Sequence, residues 1–100
     1  MSKILQDAFK SDELKQHLED VIAVDDKIAV DQIPEKTIIA EAHYILGKFT
    51  GASGGYEQEE DYNGSNGPEM RSWARKNVKA LRAFLKKYDP SNANKPSYLR

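Results

Sequence analysis

No cysteine occurs among the 100 residues, so neither a disulfide framework nor a thiolate metal site can hold this chain together. Long hydrophobic runs are missing too, since nothing approaches the roughly 18 consecutive apolar residues of a membrane-spanning helix. The opening MSKILQDAFK carries Asp7 and lacks the apolar stretch of a secretory leader. It does not read as a signal peptide, and the expected location is the cytoplasm. Glycine is sparse and unevenly placed, with five of the six residues falling between Thr50 and Gly67. One further absence is local: no acid stands between Glu69 and Asp89.

What remains is a chain of single-domain size with 39% apolar and 31% charged residues. A chain this short buries only about two-thirds of its unfolded surface, so one modest core must suffice. Its net charge of −1 conceals a strong asymmetry. Residues 1–69 hold six Lys/Arg against fifteen Asp/Glu, whereas residues 70–100 hold nine Lys/Arg and the single acid Asp89. Charge divided in this way points to an electrostatic partner, either another molecule or the other end of the same one.

Apolar spacing predicts helices throughout. Ile4, Leu5, Ala8 and Phe9 place a short helix within Ser2–Lys10. Ser11 can accept from the free amides of a following first turn, and Asp12 and Glu13 suit the positive end of its dipole. Leu14, Leu18, Val21 and Ile22 form the expected buried stripe of that second helix, which should fray near Asp25–Asp26. The near-repeat IAVDDK–IAVDQI has neither a helical nor a strand period and reads as a turn plus a short helical piece, with a strand at residues 27–33 as the weaker option. Pro34 suits the first turn of a third helix carrying Ile38, Ile39, Ala42, Ile45, Leu46 and Phe49, with Gly51 as its C-terminal cap. Residues 50–67 lack periodicity and predict a mobile acidic loop. The pattern resumes from Pro68 to Tyr88 before Asp89-Pro90 ends it, and residues 90–100 read as a flexible tail.

The expected fold is therefore all-α. Two short N-terminal helices pack on an antiparallel pair, about 34–49 and 68–88, within a single domain of residues 1–89.

The last helix carries most of the functional information. At ~100° per residue, Trp73, Ala74, Asn77, Val78, Leu81, Phe84, Leu85 and Tyr88 gather on one arc, with Met70, and this arc reads as core. Trp73 is read as a packing residue, because of the bulk an aromatic ring must bury. Asn77 in its middle needs hydrogen-bond partners, either from a neighbouring helix or at a self-association seam. The opposite arc holds Arg71, Arg75, Lys76, Lys79, Arg82, Lys86 and Lys87. The pairs Arg71–Arg75, Arg75–Lys79 and Arg82–Lys86 are like charges at i, i+4, each costing a few tenths of a kcal/mol. A face built for solubility alone would mix signs. Arg71, Arg75, Lys76, Lys79, Arg82 and Lys86 are accordingly the candidate residues for binding an anion or a protein partner.

Three acidic counterparts compete for that face. The chain's own acids come first, Glu57, Glu59, Glu60 and Asp61 above all. Nucleic acid is the second, since seven cations along about 30 Å of helix can meet several phosphates. The domain is not basic overall, however, and no aromatic interleaves with the cations to stack on bases. An anionic membrane surface ranks last, because the Trp73 face would have to leave the core.

Catalytic and cofactor motifs fail on spacing. Asp61–Gly67 begins like a calcium loop, but its glycine falls one place late and Ser72 stands where a bidentate Glu is required. His17 and His43, with Glu13 or Glu41, lack diagnostic metal-ligand spacing and read as hydrogen-bonding boundary residues. GASGG leads into EQEED rather than a Lys-bearing helix start, and no G-x-S-x-G is present. Neither a cofactor nor an enzymatic activity is expected. The expected function is a non-enzymatic helical binding module acting through protein–protein contact, including self-association as a homodimer. An accessory nucleic-acid binder is the alternative.

Overall fold

In a computed structural model, the structure describes residues 2–50 and 67–92, with the backbone alone for Thr50 and residues 67–71. Residues 51–66 of the expected loop, the Gly51 cap and the tail beyond Asn92 lie outside the described residues, while Thr50 and Gly67, expected at the ends of that loop, are helical. Within them the chain is a small, mostly helical domain around one hydrophobic core, with no strand among the described residues.

Helix α1 (Lys3–Ala8) is capped by Ser2, whose hydroxyl accepts from the Leu5 amide at 3.4 Å. It buries Ile4, Leu5 and Ala8. Ser11 caps α2 (Asp12–His17) as expected, accepting from Leu14 N–H at 3.2 Å, and Asp12 and Glu13 occupy the first turn.

The rod that begins with α2 does not remain an ordinary α-helix. Leu18–Ile22 form a π-helical turn, and α3 (Ala23–Asp26) completes the rod. A π turn takes in one residue more than an α turn, so the positions beyond it rotate by about 100°. Leu14, ahead of the change, and Leu18, where it begins, are fully buried. Val21 is 39% exposed, contrary to its expected place in the buried stripe; Ile22 packs against the core as expected, joined by Ala23. The rod ends at Asp26, near the expected position, in a cap with Lys27 left-handed at φ 55°, ψ 44°. Ile28 N–H reaches the Ala23 carbonyl at 3.1 Å and Lys27 N–H that of Val24 at 3.2 Å, the pair of bonds that usually calls for glycine at this position.

A 3-10 turn at Val30–Gln32 follows, in agreement with the expected short helical piece. Helix α4 (Glu35–Thr50) starts one residue after Pro34. Pro34 therefore sits just outside the first turn rather than within it, and its carbonyl accepts from Thr37 and Ile38 at 3.0 and 3.1 Å. Ile38, Ala42, Ile45, Leu46 and Phe49 are buried along α4. Helix α5 (Gly67–Tyr88) runs 22 residues and packs on α4 and α1. Ala74, Asn77, Val78, Leu81, Phe84 and Leu85 are buried, as the wheel requires, while Trp73 and Tyr88 are half-buried at the edge of the core.

Candidate functional site

The buried face of α5 is where the molecule is tied together. Trp73 meets Phe49 edge-on, with ring centroids 5.3 Å apart, a geometry worth about 0.5–1.5 kcal/mol beyond burial. Asn77 is 1% exposed. Its Oδ1 accepts from the Ser11 hydroxyl at 2.7 Å and from Glu13 N–H at 3.0 Å, and its Nδ2 donates to the Trp73 carbonyl at 3.0 Å. Ser11 and Asn77 thus cap α2 jointly, one on the Leu14 amide and the other on the Glu13 amide. The amide's partners belong to its own chain, which is the plainer of the two sequence readings for this residue.

The basic face points the other way. Arg75, Lys76, Lys79, Arg82, Lys86 and Lys87 are all exposed, and the side chain of Arg71 lies outside the described residues. At 1.5 Å per residue, Arg75 to Lys86 spans about 16 Å along the helix. Among the described residues, Arg75, Lys76, Lys79 and Lys86 have no carboxylate partner.

Lys87 differs. Its ammonium lies 2.9 Å from Asp7 of α1, whose carboxylate also accepts from the Tyr88 hydroxyl at 2.6 Å and stands 3.4 Å from Lys10. The Tyr88 and Lys87 hydrogen bonds hold the Asp7 carboxyl well below the usual carboxylate range. Asp7 in turn raises the Lys87 ammonium and the Tyr88 phenol above their ordinary values. Asp7, Lys10, Ala80, Ala83, Phe84 and Lys87 together line a groove between α1 and α5. The acidic residues expected to answer the basic face, Glu57, Glu59, Glu60 and Asp61, lie outside the described residues. Asp7 carried no such expectation: it is a lone acid 80 residues from its cation, and its only signal is that Tyr88, at the edge of an apolar arc, needs somewhere to put its hydroxyl.

The two histidines are both paired with carboxylates. His17 Nε2 is 2.6 Å from Glu41 Oε2, joining α2 to α4, and its ring lies 5.7 Å from that of Tyr44. His43 Nε2 is 2.7 Å from Asp89 Oδ2, joining α4 to the turn after α5, and this bond holds the Asp89 carboxyl below its ordinary value. The boundary role read from the sequence is the one the geometry gives them. In the sequence Glu41 enters only as a metal co-ligand candidate beside the two histidines, and Asp89 only as a helix stop. Among the described residues no three of His, Cys, Asp or Glu gather as metal ligands. No helix among them is long and apolar enough to cross a membrane.

No protein-family model, curated protein or solved structure matches the chain.

Proposed function

We propose that this chain is a non-enzymatic binding module that engages an acidic protein surface through the exposed cations of α5. The observation that carries the reading is the contrast along one helix. Lys87 is answered by Asp7 at 2.9 Å, while Arg75, Lys76, Lys79 and Lys86 are exposed with no carboxylate opposite among the described residues. Holding like charges at helical spacing has a cost that an acidic partner would remove. Arg71 and Arg82 extend the same arc in sequence. The groove floored by Ala80, Ala83 and Phe84 offers such a partner an apolar contact beside the cations. The scaffold for this face is the bundle expected from the sequence, two short helices on an antiparallel pair. It is supported by Phe49 against Trp73 toward one end of α4 and by His43 with Asp89 further back. A cytoplasmic location and a homodimeric form of the contact belong to the same proposal.

Nucleic acid remains the second reading, on the strength of the same exposed arc. Fluorescence anisotropy with a designed Glu/Leu helix, duplex DNA and RNA, each at low and moderate salt, separates the two. The proposal expects the acidic helix to bind and the Arg75→Glu/Lys79→Glu variant to lose it. Tight DNA or RNA binding with a steep salt slope, abolished in that variant, would transfer the face to nucleic acid.

A further inference from the structure

A second surface lies on the acidic side of the molecule. The π turn at Leu18–Ile22 rotates Val21 and Val24 outward, leaving them 39% and 63% exposed. Tyr44 of α4 is 56% exposed. His17 connects them: its ring lies 5.7 Å from that of Tyr44, and Val21 follows it by four residues, within the π turn. The result is a strip running Tyr44, His17, Val21, Val24, apolar except for the His17 imidazole, whose Nε2 is held by Glu41 at 2.6 Å. A π turn spends regular α hydrogen bonding, and such turns recur where a helix face is put to use.

The charges around this strip say what it fits. Residues 12–35 carry eight acids against Lys15 and Lys27. Lys15 is paired with Glu19 at 3.5 Å, and Lys48 lies over the Tyr44 ring at 5.7 Å. Asp20, Asp25 and Asp26, within two residues of one or other valine in sequence, are exposed. A symmetric contact between two copies would set these acids against their own counterparts. A head-to-tail contact would bring the exposed arc of α5, where Ser72 and Ala83 are the only uncharged exposed side chains among the described ones, and neither can cover Val24. The complement is a helix carrying both cations and large apolar side chains.

We infer that the Tyr44–His17–Val21–Val24 strip is a docking surface for a cationic amphipathic helix of another protein, separate from the contact made by α5. The full chain, labelled at its methyl and aromatic groups, is titrated by NMR with a designed Lys/Leu amphipathic helix and with a Glu/Leu helix. The Val21 and Val24 methyls and the Tyr44 ring shift with the first and not with the second. Val21→Ser/Val24→Ser, at exposed positions, weakens binding at least about tenfold, and Asp20→Lys/Asp25→Lys does likewise. Arg75→Glu/Lys79→Glu leaves it unchanged, so this surface stands or falls independently of α5. The inference is overturned if the Lys/Leu helix shifts other residues, if the valine pair has no effect, or if the same groups shift with protein concentration alone, which would make a second copy the occupant.

Discussion

Helix α5 and the rod from Asp12 to Asp26 are both amphipathic in sequence, yet only one of them follows its own wheel. In α5 the buried residues Ala74, Val78, Leu81 and Leu85 and the exposed Arg75, Lys79, Arg82 and Lys86 keep their expected sides along the described part of the helix. In the rod the expectation holds for Leu14, Leu18 and Ile22 and fails at Val21, because the π turn moves Val21 out and brings Ala23 in. The lesson is about phase. A wheel assumes a constant turn per residue, so a single inserted residue leaves the upstream face legible and shifts the downstream one, here enough to misassign Val21.

The largest effect should come from the boundary between those two regimes. Leu18→Ala removes a fully buried side chain where the π turn begins and should cost about 2–5 kcal/mol, whereas Val21→Ala, three residues on, should stay within about 0.5 kcal/mol. Equal shifts in denaturant midpoint for the two variants would restore the unbroken helix. Next comes the joint between the regions. Asn77→Ala strands the Ser11 hydroxyl and the Glu13 amide and should cost about 1–3 kcal/mol. Combined with Ser11→Ala, the loss should fall short of additive by at least about 0.5 kcal/mol, since one network is being removed twice. Strict additivity in that cycle would separate the two caps.

Smaller again is the end of the rod. Lys27 holds a left-handed conformation that glycine adopts without a Cβ penalty. Lys27→Gly should therefore stabilise by roughly 0.5–1 kcal/mol, part of the relief being offset by the freer unfolded chain. A loss of stability by the same measurement would mean that the lysine side chain matters at this site.

The smallest effect concerns how α1 is fastened to α5. Asp7 and Asp89 are held below the usual carboxylate range, so each contributes stability above a pH of about 4 that is lost as acid protonates it. Lys87 and Tyr88 are raised, so their contribution is present below a pH of about 10 and fades as pH climbs beyond it. Asp7→Asn should flatten the thermal stability profile at both ends, while the acid limb keeps the Asp89 share. A variant profile parallel to the wild type would remove Asp7 from this role.

Much of this architecture is legible locally. Ser11 before Asp12-Glu13, the end of the rod at Asp26 and the stop at Asp89-Pro90 are all short-range chemistry, and the structure places helix boundaries there. What the sequence did not disclose is of two kinds. Nothing in LEDVI marks a π turn, because no turn residue or cap is needed to make one. The long-range partners Asp7–Lys87, His43–Asp89 and Ser11–Asn77 join residues whose proximity exists only once the helices have packed. The basic arc itself was visible from spacing and signs. Which of its members an acid would answer was not, since that choice depends on where α1 lies against α5.

The central claim is that the exposed arc of α5 is the surface on which this chain binds an acidic partner, and amide-shift mapping tests it most directly. With a Glu/Leu helix added to the labelled full chain, the largest shifts should run along Arg75, Lys76, Lys79 and Lys86 and weaken as salt is raised. Shifts confined to α2 and α3, or none at an excess of peptide, would contradict it.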